Sequence, residues 1–511
     1  MVRSRWRACR SNVSSATRLL TAAWVATQVE LHGHYSATQL LQLVAYQHHA
    51  SWRRVLAVCL LTPLPSLALV TLVDLVPLSV PSDGAGVSFW VRATVSVLVL
   101  TLSVLHELRV HLPAFVLGRW AVLSITAAST AASIVTLLLL ARGVGFPVPF
   151  AMLAGAAPWT LVLVGLLHTW SRQHAPHGSM SADLRRYGVA FLAQVSMTLV
   201  YPGFAVLYTT LSSAKQTAAV FALPVLKLAL KNVISRWLPE HADDARPEAV
   251  VFSVEVFHAL FVAFTLQKTT SLSTVAVLMA LDVGHAWLSF YDVFSVLGSL
   301  DLAHRPPWPQ LMAVATETLA PMRVKQEPGG GGGGGGGGKP LVGAPATALV
   351  WPVALASQAP AAPRDATRQL DAAGRHAIAQ SMRQLLYITE YVALTEYTEV
   401  MIPLLLNAMI MVLFYLPNRA FYPFLDGMTV ASMTTTEWTI ALYAALELVS
   451  FVAMAAVLWW RVRVSLAHQL AFVLEARQAS IQAKLFAWVV FVIQCSIVHF
   501  GADYSFQFTW L

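Results

Sequence analysis

Charge is scarce in this chain. Only 11% of its 511 residues are Asp, Glu, Lys or Arg, while 57% are hydrophobic and the mean hydropathy is +0.63. An ordinary soluble domain carries about 25% charged residues. So few charges cannot cover a water-facing surface, so lipid must be the solvent for much of the chain. This excludes a string of soluble domains and predicts an integral protein of the plasma membrane or an endomembrane.

Cysteine is also scarce, and the three present, Cys9, Cys59 and Cys495, exclude a disulfide framework. Catalytic and nucleotide-binding motifs are missing, so we expect neither an enzyme nor a cofactor. The net charge of +8 raises the question of nucleic acid. The basic residues form no surface domain interleaved with aromatic residues, so nucleic-acid binding is excluded. Excess Lys and Arg is instead typical of cytoplasmic loops in membrane proteins.

Long apolar runs dominate what is present. An apolar helix of about 20 residues spans the hydrocarbon core. The sequence therefore predicts an all-α, polytopic helical membrane bundle of about eleven transmembrane helices, with the bilayer as its main partner. The predicted spans are Val55–Val76, Phe89–Leu105, Trp120–Leu140, Phe146–Leu167, Gly188–Leu211, Thr217–Ser235, Val250–Leu266, Ser271–Leu297, Val400–Leu416, Trp438–Trp460 and Lys484–Phe500.

The distribution of Lys and Arg predicts the orientation. With the N-terminus inside and alternating spans, the Lys and Arg residues outside are only Arg142, Lys215, Lys268 and Arg419. Arg92, Lys227 and Lys231 lie within spans, and all the others lie inside. This asymmetry is what the positive-inside rule expects.

The spans divide the chain into four parts. Residues 1–54 form a basic cytosolic N-terminal segment with an interfacial helix, and 55–299 form an eight-helix transmembrane block. Residues 300–387 form a cytosolic loop, and 388–511 form a three-helix transmembrane block. The loop contains the glycine run Gly329–Gly338, followed by a Pro- and Ala-rich stretch. Such composition behaves as a flexible coil, so we expect this loop to be disordered.

Ionisable residues inside spans are the candidate functional residues, since a charge in the bilayer must face the bundle interior and find a partner. Lys227 and Lys231 are four residues apart in the sixth span. Two carboxylate–histidine pairs follow, each spaced so that both groups share a helix face. The carboxylates can form structural ion pairs with Lys227. Alternatively, the pairs can form a proton or ion pathway or a divalent metal site. We predict that no metal is bound. These pairs are Glu255 with His258, and Asp282 with His285, while Glu447 stands alone in the tenth span.

Proline marks candidate helix breaks, because it removes a backbone donor. Pro202 and Gly203 lie near the middle of the fifth span, and Pro224 lies in the sixth. Pro63 and Pro65 interrupt the first span. Breaks placed five spans apart resemble those of inverted-repeat transporters, whose discontinuous helices meet at the midplane.

A second resemblance covers Tyr201 to Asp282. It rests on Tyr201-Pro202, Gln216, Leu223-Pro224 with Lys227, the acidic segment Asp243–Glu248, Val254–Phe257, Gln267 and Asp282. This region resembles a family of multi-pass membrane proteins of water moulds (oomycetes). The resemblance implies a membrane location and carries no activity, substrate or ligand.

The sequence therefore favours a secondary transporter or ion pathway whose buried charges handle a small solute or an ion. The alternative is a membrane scaffold or receptor-like protein that recruits cytosolic partners through the 300–387 loop.

The predicted orientation has a direct test. Asn12-Val13-Ser14 is a glycosylation sequon on the predicted inside. We expect it to stay unmodified in microsomes, because the transferase acts on the opposite side. Glycosidase treatment should leave the electrophoretic mobility of the chain unchanged, while a sequon added after Leu511 should be modified. A glycosidase-sensitive shift that Asn12→Gln removes would place the N-terminus outside.

Overall fold

A computed structural model describes residues 27–113, 115–174, 178–212, 221–238, 240–268, 314–319, 372–462 and 464–502, together with isolated positions between 215 and 294. The described chain is all-helical and contains no strand. The longer helices are α1 (Ala37–His49), α2 (Trp52–Leu61), α3 (Leu64–Asp74), α4 (Val87–His111), α5 (Arg119–Gly143), α6 (Ala151–His174), α7 (Gly178–Thr210), α8 (Ala222–Trp237), α9 (Arg246–Lys268), α10 (Ala372–Tyr415), α11 (Val430–Val462), α12 (Leu466–Ala476) and α13 (Gln478–Cys495).

Within the described ranges, seven helices are long and apolar enough to cross a membrane. They are α2 with α3 as one span, then α4, α5, α6, α10, α11 and α13, and they coincide with seven of the predicted spans. Large apolar side chains on their outer faces are exposed, such as Trp120 (84%) and Trp438 (76%). An apolar outer surface of this kind is compatible with a multi-pass membrane protein.

The other four predicted spans do not coincide with any of these seven apolar helices. Helices α7, α8 and α9 coincide with the fifth, sixth and seventh predicted spans but are not among the seven helices above. Helix α8 has 16 residues, so at about 1.5 Å per residue it is shorter than the hydrocarbon core. The eighth span, Ser271–Leu297, lies almost wholly outside the described residues. The predicted total of eleven therefore stays a prediction.

Two helices form the centre of the bundle. Within their most apolar windows, α10 is 61% buried and α13 is 56% buried, against 17% for α11. Helix α9 packs against both α10 and α13, and α4 packs against α13. Helix α1, predicted to lie at the interface, buries Leu40 and Leu43 completely and packs against α12.

Helix α10 begins at Ala372, so the predicted loop boundary at 387 falls inside it. The segment is amphipathic, and it buries Ala379, Met382, Leu385 and Leu386. Those apolar contacts explain why helix replaces coil at the end of the predicted loop.

Ion pairs and hydrogen bonds define two ends of the bundle. At the Arg54 end, Arg54 at the start of α2 pairs with Glu475 at the close of α12. At the Arg92 end, Asp74 at the close of α3 pairs with Arg92 near the start of α4. Adjoining helices therefore alternate in direction, as successive spans must. Which end faces the cytosol stays a prediction.

Helices α9 and α10 are parallel. Asp244, just before α9, and Arg383, near the start of α10, both contact the segment around Ser36 and Tyr35. Deeper in the bundle, Lys227 reaches both Glu255 of α9 and Glu399 of α10. The C-terminal end of α9 and the N-terminal end of α10 therefore lie at opposite ends of the bundle.

The first span is broken at Pro63, as the sequence predicted: α2 ends at Leu61 and α3 begins at Leu64. Because Pro63 has no N–H, the Cys59 carbonyl lacks its helical donor. The Tyr397 hydroxyl of α10 donates to it instead at 2.8 Å. The Gln482 amide of α13 donates to the Thr62 carbonyl at 2.7 Å. The two central helices thus supply donors at the break.

We expect Tyr397→Phe to destabilise the protein by about 1–2 kcal/mol, because the Cys59 carbonyl is left without a partner in a partly buried, apolar site. Thermal unfolding in detergent measures this. In a Pro63→Ala background the cost should shrink, since residue 63 regains an N–H. Tyr415→Phe, at a 72% exposed tyrosine, is the matched control and should change nothing. An equal cost in both backgrounds would exclude this role for Tyr397.

Candidate functional site

Four ionisable side chains meet between α8, α9 and α10; we call them the central ion cluster. Lys227 Nζ lies 3.1 Å from Glu255 Oε2 and 3.5 Å from Glu399 Oε1, and Lys231 pairs with Glu255 Oε1. The side chains of Lys227, Lys231 and Glu255 are at most 8% exposed, and that of Glu399 is 15% exposed. Two ammonium groups balance two carboxylates, so the cluster is neutral when all four are ionised.

Local helix geometry explains how the cluster forms. Lys227 and Lys231 are one helical turn apart and share a face of α8. A short connection from Trp237 to Arg246 makes α9 antiparallel to α8, which places Glu255 opposite both lysines. Glu399 comes from α10, which is parallel to α9. The sequence identified Lys227, Lys231 and Glu255, whereas Glu399 immediately precedes the predicted ninth span, Val400–Leu416, and was not a candidate.

His258 lies one turn beyond Glu255 on α9. Its Nδ1 atom is 3.1 Å from the Tyr201 hydroxyl of α7. The Tyr201 ring packs edge-on against Phe257 and Phe261, so it is held firmly beside the cluster. Helix α7 continues through Pro202 and Gly203. Pro224 occupies the first turn of α8, where proline removes no helical hydrogen bond.

Three further site residues were predicted. Asp282 and His285 lie outside the described residues. Glu447 is buried on α11, a helix that packs against α10 and α12. Among the residues that the structure describes, no group of three His, Cys, Asp or Glu side chains could hold a metal ion.

A second group, the Lys484 cluster, was missed by sequence reasoning. Lys484 of α13 lies 2.9 Å from Glu248 of α9 and 3.5 Å from Glu107 of α4. Ser480 donates to Glu248 at 2.6 Å. Burial would raise the pKa of Glu248, but Lys484 outweighs that effect and holds the pKa below its usual value. Two carboxylates therefore share one ammonium group.

The missed signals were in the sequence. Glu107 lies within His106-Glu107-Leu108-Arg109-Val110-His111, whose spacing matches only one histidine box of membrane desaturases. Lys484 was placed at the edge of the last span, where a lysine can reach the interface. Glu248 was read as part of an acidic loop. Only the packing of α4, α9 and α13 brings the three together.

A third group lies at the Arg92 end. The fully buried Arg92 side chain pairs with Asp74, and its Nη2 donates to the Tyr422 hydroxyl at 3.0 Å. Its Nε donates to Gln494 at 2.9 Å, and Tyr422 donates to Asp74 at 2.7 Å. Asn418 donates to the Asp74 carbonyl at 2.6 Å. The group is balanced in charge and extensively hydrogen-bonded, so it suits a structural role.

A cavity of about 110 Å³ lies between α4, α5, α6, α7 and α13. Its lining is mostly apolar. Glu107 of the Lys484 cluster and Gln194 are among its few polar residues. Gln194 Nε2 donates to Ser253 of α9 at 3.0 Å, two residues before Glu255. The cavity is therefore linked to both the Lys484 cluster and the helix that carries Glu255.

These features belong to an all-helical chain whose seven apolar helices are compatible with a multi-pass membrane protein and whose described interior holds several ion pairs. No protein-family model, curated protein or solved structure matches the chain. The resemblance to the oomycete membrane family stays a prediction.

We expect Lys484→Met to lower the free energy of unfolding by about 3–5 kcal/mol, because it leaves two buried carboxylates without a cation. Chemical unfolding in detergent measures this. Adding Glu248→Gln should recover part of the loss, since one unpaired charge is removed. Lys215→Met, at an exposed position, is the control. If the free energy of unfolding of Lys484→Met equals that of the control, Lys484 does not balance the two carboxylates.

Proposed function

We propose that this chain is a secondary transporter or ion pathway that moves a small solute or an ion through its polar interior, with the central ion cluster as its working site. One observation carries the proposal: Lys227 is shared by two carboxylates on two different helices, at 3.1 and 3.5 Å. A shared cation can shift between partners with little change in distance.

The energetics favour such a shift. Burying charge in an apolar bundle is costly, so every state must keep the cluster balanced. When a proton or another cation reaches Glu255 or Glu399, one lysine loses a partner and moves toward the other carboxylate. Because the carboxylates belong to α9 and α10, the exchange changes the attraction between these helices. Ion binding is thereby coupled to helix movement.

Neighbouring groups supply a route to the cluster. His258 and Tyr201 form a hydrogen-bonded pair beside Glu255, and such chains of polar groups serve as proton relays in membrane proteins. Asp282 and His285 of the predicted eighth span belong to the same proposal. In support of that span, α9 ends at one end of the bundle and α10 begins at the opposite end.

The proposal keeps the sequence-based expectations of a cytosolic N-terminus, a plasma-membrane or endomembrane location and no enzymatic activity. The scaffold alternative depends on the 300–387 loop, most of which lies outside the described residues. No contact in the described structure favours it.

The test separates transport from structural pairing. Lys231→Met with Glu255→Gln removes one ion pair and leaves Lys227 facing Glu399, so charge balance is kept. We expect this double variant to unfold at nearly the wild-type temperature, while proton flux in proteoliposomes under an imposed pH gradient falls by about an order of magnitude.

The matched control removes a balanced pair elsewhere. Arg54→Met with Glu475→Gln abolishes the ion pair at the Arg54 end and should leave flux unchanged. A pH-sensitive dye inside the vesicles gives the rate. Wild-type flux in the Lys231/Glu255 variant, or no flux above protein-free vesicles in the wild type, would reject the central ion cluster as a proton pathway.

A further inference from the structure

The cavity next to the Lys484 cluster has the features of a binding site. It is lined by five helices and holds about 110 Å³. A cavity of about 150 Å³ lined by apolar side chains accepts a molecule the size of benzene. The volume here suits a compact molecule with a few carbon atoms.

The carboxylate at the cavity is only partly paired. It belongs to Glu107, which lines the cavity and is 5% exposed. The Lys484 ammonium that Glu107 shares lies closer to Glu248, at 2.9 Å against 3.5 Å, and also donates to Ser480 at 2.7 Å. Glu107 therefore has only the smaller share of one ammonium group. A buried carboxylate that is only partly paired is costly unless a further cation or a proton joins it.

The walls of the cavity favour the same kind of ligand. Four aromatic side chains face it: Trp159, Phe191, Trp488 and Phe491. Aromatic faces attract cations, and cages of such rings recognise alkylated ammonium groups. Trp159 is held in place because its indole N–H donates to Thr101 at 2.8 Å. Trp488 packs edge-on against Phe257 of α9 at 4.8 Å.

We propose that this cavity binds a small organic cation, an alkylated ammonium whose charge lies between the aromatic rings and Glu107. Glu107 supplies the negative charge that attracts the ligand, and Lys484 pairs with Glu107 only in part because it also pairs with Glu248. The apolar rings accommodate the alkyl groups, which an inorganic cation lacks. Binding would place a second cation beside Glu107 and stabilise the junction of α4, α9 and α13.

This inference concerns binding and does not require the proposed transport. A ligand can occupy the cavity whether or not the central ion cluster conducts, so binding assays and flux assays can fail separately. If both succeed, the cavity becomes the candidate substrate site of the transporter.

The test uses the full chain in phosphatidylglycerol nanodiscs, a lipid without an ammonium head group. Tetramethylammonium is the probe, and tert-butanol is a neutral molecule of similar size. Calorimetry should detect the cation and a much weaker response to the alcohol. Glu107→Gln should weaken cation binding by about tenfold or more, and Phe191→Leu by about threefold, because each removes a stabilising contact with the charge.

Glu437→Gln on α11, outside the cavity, is the control and should bind as the wild type does. Folding of each variant is checked by its unfolding temperature, and Glu107→Gln should fold because it leaves Lys484 and Glu248 as a balanced pair. Loss of binding in phosphatidylcholine nanodiscs would identify the lipid head group as the cation source. Absence of cation binding, equal binding of tert-butanol, or unchanged binding in Glu107→Gln would each overturn the proposal.

Discussion

The Lys484 ammonium group is the interaction on which the bundle depends. It lies near the start of α13, the helix that packs against α3, α4 and α9, and it joins carboxylates from α4 and α9. In an apolar interior a charge is held only where its partners are, so the side chain fixes the relative depth of three helices. Apolar packing alone would let such helices slide, because lipid is as apolar as their side chains.

Hydropathy predicted the positions of these apolar helices well, because the length of an apolar run can be read directly from the sequence. Seven predicted spans coincide with seven apolar helices. The limits of hydropathy appear at α8, where Lys227 and Lys231 shorten the apolar run. They also appear in the first half of α10, which looks polar in sequence. From Leu385 to Thr398 this half is buried by contacts with distant segments, such as the bond from Tyr35 to Glu390, which no local pattern encodes.

The candidate site was predicted only in part, for a related reason. Lys227 and Glu255 stood out because each is a charge in the middle of an apolar run. Asp74 and Arg92 lie near span ends, where a charge is ordinarily explained by water, yet both are fully buried. Their burial comes from Tyr422 and Gln494, which lie far along the chain. Sequence position could not reveal that these four residues share one end of the bundle.

The break at Pro63 bears on how the chain is made. Synthesis proceeds from the N-terminus, so α2 and α3 reach the bilayer before the helices that follow them in the chain. The donors for their Cys59 and Thr62 carbonyls are Tyr397 and Gln482, which emerge from the ribosome several hundred residues later. Until then the two carbonyls need temporary partners, such as water or an insertion chaperone, because lipid offers none. A segment that is inserted early is thus among the last to reach its final hydrogen bonding.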